Sequence, residues 1–198
     1  MKKLILVCGR PGTGKTYIAK KISERDSKIK LISYDDLKEK NYDEYGFDNI
    51  EEKEKLNLIT LKEFLFIVEK NMILGNDIIS EYPFSYKQKN ILEKLSNIYG
   101  YKNYTVRLIA DENILLKRIV ERDTKYNGRH LGHIVSKYHK GITKVDRKNA
   151  DYLFNRERFT KICKERDYDN FKLGDLYEID TTTFENLEMN KIYSFLEI

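Results

Sequence analysis

The sequence predicts a three-layer α/β fold on a parallel sheet, and three observations carry that reading. Short apolar runs of strand length alternate with segments of helical spacing along the chain. The first run, Leu4-Ile5-Leu6-Val7-Cys8, leads into Gly9-Arg10-Pro11-Gly12-Thr13-Gly14-Lys15-Thr16, which reads G-x-x-x-x-G-K-[ST]. Helical spacing resumes at once in Tyr17-Ile18-Ala19-Lys20-Lys21-Ile22. Strand, glycine loop and helix in that order are what a phosphate-binding loop requires. Strands alternating with helices imply a sheet covered on both faces, with ligands bound beyond the carboxyl ends of its strands.

The elements follow in order. Lys28 to Ser33 alternates polar and apolar residues and reads as a second strand, with a helix beginning near Leu37. Leu56, Ile59, Phe64, Ile67 and Val68 space a long helix over roughly 49–71. Ile78-Ile79-Ser80 is a short buried strand, and 86–98 returns to helix. Another strand covers 104–110, and Asp111 is placed to cap a helix through about Arg122. A glycine-punctuated segment, about 123–146, reads as a lid that closes over the phosphates. Helix is expected from about Asp146 to Lys164, a last strand over 176–179, and a closing helix from about Leu187.

Composition bounds the class. The 198 residues suit a single domain over 1–198, with 40% apolar and 35% charged residues. No apolar run approaches the roughly 20 residues of a membrane helix. The basic start and short apolar stretch at the N-terminus run straight into the glycine loop, so they read as the first strand rather than a secretory leader. Cys8 and Cys163 have no paired spacing, which points to a reduced, cytoplasmic setting. A net charge of +5 and a pI near 8.9 suit a protein that handles anions, and are compatible with nucleic acid. No block of five or six like charges argues for a nucleic-acid partner specifically.

The glycine loop implies ATP and Mg²⁺. Gly9, Gly12 and Gly14 let consecutive N–H groups point inward at a phosphate, and the helix starting near Lys15 adds its dipole. Lys15 suits the β- and γ-phosphates, the Thr16 hydroxyl suits Mg²⁺, and the rest of the loop with Tyr17 completes the nucleotide site. Asp35 and Asp36 follow the second strand, where a carboxylate orients or deprotonates an attacking hydroxyl; either residue also suits an N-cap. Asp35 is preferred for the chemistry. Glu81 ends the third strand, in the position from which a carboxylate holds Mg²⁺ through water. Arg118 and Arg122 share a helix face before the lid, and Arg129 lies within it, placed to neutralise charge on a transferred phosphoryl group. His130, His133 and His139 lack the partner set of a metal site. The 15 tyrosines are spread along the chain as packing residues.

On these residues the chain resembles the small P-loop kinases of the nucleoside/nucleotide kinase-like group (AAA_33-like). That group includes polynucleotide, gluconate and shikimate kinases, chloramphenicol phosphotransferase and zeta-type toxins. The opening, with its loop and Ser33-Tyr34-Asp35-Asp36-Leu37-Lys38, is most similar to 5′-hydroxyl polynucleotide kinases. The resemblance implies that Asp35 is the base, that Lys38 meets substrate phosphate where the family has Arg, and that Arg118 or Arg122 meets ATP phosphates. The expected sheet is five-stranded in the order 2-3-1-4-5. The expected function is an ATP- and Mg²⁺-dependent kinase acting on a hydroxyl of a small molecule or nucleoside. The alternatives are a 5′-hydroxyl polynucleotide kinase and an ATPase switch or zeta-like toxin.

Overall fold

The computed structural model describes residues 2–142 and 145–198. Strand β1 (Lys3–Gly9) is buried along its whole length and sits mid-sheet. Around it lie β2 (Lys30–Ser33), β3 (Ile78–Glu81), β4 (Lys102–Ile109) and β5 (Asp175–Asp180), ordered β2-β3-β1-β4-β5. Every pair is parallel, so all carboxyl ends open on one edge. Both the class and the strand order match the expectation.

Alternation along β1 builds two cores. Leu4, Leu6 and Cys8 face α3 (Ile50–Ile73) and α4 (Tyr86–Tyr99), meeting Phe64, Val68, Met72, Leu92 and Leu95. Ile5 and Val7 face α1 (Lys15–Arg25) and α7 (Met189–Leu196), meeting Ile18, Ala19, Ile22, Ile192 and Leu196. Each such side chain contributes about 1.5–3 kcal/mol by leaving water. Ser80 interrupts the apolar run of β3 at no loss, because its buried hydroxyl donates to the Ile32 carbonyl at 2.7 Å.

Lys3 ties the C-terminal helix to the sheet. Its buried ammonium donates to the carbonyls of Leu196 (2.7 Å) and Glu197 (2.8 Å), which the end of α7 leaves unpaired. Lys3→Met is expected to cost about 2 kcal/mol, read as a lower urea midpoint at unchanged slope.

Two helix boundaries differ from the sequence reading, for one reason: short polar side chains bind nearby backbone. Helix α2 (Tyr34–Tyr45) starts three residues earlier than expected, because Ser33 Oγ accepts from the Asp36 N–H. The helix expected from Asp146 begins only at Arg156 (α6, Arg156–Arg166). Asp146 caps a single 3₁₀ turn over Arg147–Asn149, and Asn155 caps α6 itself. Asp111 caps α5 (Glu112–Thr124) as expected, accepting from the N–H groups of Asn113 and Ile114.

The expected lid is packed down. Beyond α5, Ile134, Val135 and Tyr138 form a small core with Tyr42 and Phe47 near α2 and Leu56 of α3. An isolated antiparallel bridge joins Phe47 to Tyr138. Thr143 and Lys144, within the expected lid, lie outside the described residues. No helix among the described residues is long and apolar enough to cross a membrane.

Candidate active site

The glycine loop joins the end of β1 to α1 and presents bare backbone. Gly14 is the N-cap of α1 at φ 88°, and no side chain bonds the first-turn amides. They are the donors that an anion at a helix start would take. A Cβ on Gly14 would lie 2.4 Å from the Phe184 ring. Gly14→Ala therefore combines a left-handed backbone with a clash, and is expected to weaken ATP binding at least about tenfold by calorimetry. Lys15 is buried, and its ammonium donates to the Arg10 carbonyl at 2.8 Å.

Three side chains converge from the neighbouring strand ends. Register sets Ser33 beside Glu81, and Ser33 Oγ donates to Glu81 Oε1 at 3.3 Å. The nearby Thr16 hydroxyl also favours the charged form of Glu81. Burial pushes the Glu81 carboxyl up to about 7, with the Asp35 charge adding to the rise and Lys15 opposing it. Burial pulls the Lys15 ammonium down to about 8, against the carboxylates of Glu81 and Asp35. Asp35, one residue into α2, pairs through Oδ2 with Arg129 Nη2 at 2.7 Å. Its Oδ1 is buried without a partner. Burial would raise the Asp35 pKa, but Arg129, Lys38, Lys15 and Arg122 outweigh it and hold the carboxylate below its ordinary range. It is ionised at neutral pH.

Thr16 and Glu81 test whether Mg²⁺ fits. Both offer oxygen, the donor type this ion takes, and Glu81 lacks the full countercharge that would keep it ionised. The residues fit the ion.

These groups line one cavity of about 590 Å³, together with Pro11, Gly12, Gly14, Lys38, Arg118 and Arg122. Arg122 Nε binds the buried Asp123 carboxylate at 2.7 Å, and its Nη2 is buried without a partner. Arg118 donates to the carbonyls of Thr181 (2.8 Å) and Thr182 (2.9 Å) and lies over the Phe184 ring at 4.7 Å. The ammonium of Lys38 lies about 6 Å from the rings of Tyr34, Tyr42 and Tyr82.

Other expected positions fall outside the cavity lining. Successive helical residues point about 100° apart, so with Asp35 turned inward Asp36 is exposed on the outer side. The Arg10 guanidinium turns away to Asp169 (2.5 Å) and Glu112 (2.9 Å), leaving only its carbonyl in the loop. The Tyr17 ring is exposed and meets Phe184 edge-on. Gly9 closes against β4, where a Cβ would lie 2.2 Å from the Leu108 carbonyl oxygen. Thr13 is buried, its hydroxyl bonded to the Arg10 carbonyl at 2.9 Å.

Each histidine takes a separate carboxylate. His130 meets Asp43 at 3.0 Å, His133 meets Glu39 at 3.1 Å, and His139 meets Asp48 at 3.2 Å. With Arg129 on Asp35, the segment grips every fourth residue of α2 (Asp35, Glu39, Asp43). Among the described residues no three His, Cys, Asp or Glu side chains form a metal-type cluster. Sequence reasoning missed Phe184, Lys53, Tyr152, Arg158 and Arg166, all of which line the cavity. Only Phe184 had a usable signal: it lies just past the last strand, on the edge where ligands bind.

Known proteins agree with this architecture. Solved structures with a similar fold include a candidate kinase of Chloroflexus aurantiacus J-10-fl, with 23% identity, TM-score 0.78 and 99% and 97% of the two chains covered. A sugar kinase of Janibacter sp. HTCC2649 aligns with 11% identity, TM-score 0.61 and 100% and 96% coverage. A gluconokinase of Sinorhizobium meliloti 1021 aligns with 12% identity, TM-score 0.54 and 97% and 87% coverage. No curated protein sequence matches the chain. An AAA domain model (AAA_18) matches residues 5–134, from the first strand through Asp35, Glu81, Arg118, Arg122 and Arg129 of the cavity. The chain belongs to this AAA domain family.

Proposed function

We propose that this protein is an ATP- and Mg²⁺-dependent kinase that transfers the γ-phosphate to a hydroxyl of a small molecule or nucleoside. The observation that carries the reading is Asp35 Oδ1, a buried carboxylate oxygen with no partner, in the same cavity as the Lys15 ammonium. The fold neighbours described as sugar kinase and gluconokinase support the class. The similarity of the opening to 5′-hydroxyl polynucleotide kinases supports Asp35 as the base.

The residues divide the work. Lys15 exchanges its contact with the Arg10 carbonyl for the β- and γ-phosphates, beside the free amides of α1. Thr16, with Glu81 through water, would hold Mg²⁺, which supplies countercharge to the phosphates. Phe184 and Arg118 form a flat surface beside Gly14 that suits the base of the nucleotide. Arg122 directs its free Nη2 to charge developing on the phosphoryl group. Arg129 fixes Asp35 so that Oδ1 meets the acceptor hydroxyl. As the hydroxyl oxygen bonds to γ-phosphorus and ADP leaves, the proton passes to Asp35 Oδ1. A carboxylate this acidic orients the hydroxyl first and takes its proton late, which suits a loose transition state.

Nucleotide affinity should be bell-shaped in pH. Glu81 must be ionised to hold the metal, so affinity rises as pH climbs through about 7. Lys15 must be protonated, so affinity falls as pH passes about 8. Glu81→Gln is expected to remove the rising limb in Mg²⁺-ATP titrations followed by calorimetry, and a limb that persists would reassign it. The function itself is tested with γ-labelled ATP offered alongside nucleosides, sugars, sugar acids, antibiotics and 5′-hydroxyl oligonucleotides. One labelled hydroxyl product is expected. ATP turnover unaffected by every compound would favour a nucleotide switch instead.

A further inference from the structure

Part of the cavity lining carries cations that form no ion pair among the described residues. Lys53, on α3, is 3% exposed, and its ammonium donates only to the carbonyls of Val135 (2.9 Å) and His133 (3.4 Å). It lies 4.1 Å from the centre of the Tyr152 ring. The Arg158 guanidinium, from α6, lies 3.4 Å from the same ring and bonds the Tyr152 and Leu153 carbonyls. Two cations therefore share one aromatic ring, and Arg166 lines the same cavity. Among the described residues none of the three has a carboxylate within ion-pair distance. Burial, together with the charges of Lys38 and Arg158, pulls the Lys53 pKa down to about 7. A buried ammonium crowded by a partly exposed guanidinium destabilises a fold unless something of opposite sign joins them.

We propose that the acceptor carries an oxyanion, a carboxylate or phosphate, in addition to its hydroxyl, and that Lys53 and Arg158 hold that group beside Tyr152. This rests on the kinase reading above and names the class of its substrate: a small hydroxy acid or phosphate ester. Arg158 presents a fork that matches either oxyanion, and Lys53 supplies a point charge. A small molecule fits better than a nucleic-acid end. Of the exposed charged residues lining the cavity, Glu54, Lys87 and Glu165, two are carboxylates that repel a phosphate chain leaving by the mouth.

The anion site is tested without ATP. Lys15→Ala removes the main cation of the glycine loop, and thermal shifts are then measured with inorganic phosphate, L-malate or neutral glycerol. Phosphate or malate is expected to raise Tm, the better of the two identifying the preferred oxyanion, while glycerol does nothing. The shift should vanish when Lys53→Met and Arg158→Gln are added, and survive in part with Lys53→Arg and Arg158→Lys, which keep charge and carbonyl contacts. An anion shift that is absent, or equal with and without the two cations, overturns the proposal. With an acceptor in hand, Lys53→Met or Arg158→Gln should raise its KM about 10- to 100-fold and leave the KM for ATP within about twofold. A neutral hydroxyl compound or an oligonucleotide as the best acceptor would contradict the assignment. If anions bind as described but no compound receives label, the kinase reading fails and the anion site stands.

Discussion

Asp35→Asn is expected to lower kcat for phosphoryl transfer by about 10²- to 10⁴-fold while ATP still binds with near-wild-type affinity. The substitution keeps the shape of the side chain and one oxygen that accepts from Arg129. It removes the oxygen that takes the proton. Loss of a negative charge near Lys15 should if anything favour the nucleotide, since Asp35 lies within electrostatic reach of that ammonium. Arg129 is left with a weaker partner, which should cost about 1–3 kcal/mol of stability, so melting and activity must be measured together. A variant that melts near wild type, binds ATP and still transfers at full rate would show that Asp35 is not the base.

Lys15→Met should cut ATP turnover by about 10²- to 10³-fold, the loss expected for one electrostatic donor to the transferring group. It should not weaken the fold. The ammonium is buried at a cost, shown by its lowered pKa, and its hydrogen-bond partners, the Arg10 carbonyl and Thr13 Oγ1, belong to the loop itself. Methionine matches the length of the side chain without that burial penalty, so Tm is expected to hold or rise. A loop that melts with this substitution would mean that Lys15 organises the loop rather than binding phosphate. Calorimetric ATP binding and thermal melting separate the two.

The parts of the molecule legible in the sequence are those fixed by local rules. The glycine loop could be read because its pattern needs only eight consecutive residues and the elements flanking them. The cap at Asp111 followed in the same way, whereas the strand order 2-3-1-4-5 was expected alongside the resemblance to small P-loop kinases and rests on long-range pairings. Capping competition among neighbouring polar residues was less visible: Ser33 outcompeted the aspartates after it, and Asp146 closed one turn instead of starting a helix. The inward turn of Asp35 and outward turn of Asp36 depend on that single choice of cap. Lys53, Tyr152 and Arg158 come from segments about 100 residues apart, and only the packing of the 125–155 region onto α2 and α3 brings them together. Nothing in their local spacing marks them. The lid is a mixed case: its glycines were readable, while its docking by Arg129, His130 and His133 onto every fourth residue of α2 was not.

The role of Asp35 in phosphoryl transfer is decided by following the labelled γ-phosphate through a single turnover, in wild type and Asp35→Asn side by side, with the acceptor panel present. Wild type should place the label on one hydroxyl compound, whereas Asp35→Asn should retain it as bound ATP. Label released only as inorganic phosphate, at the same rate in both proteins and with every compound, would contradict it.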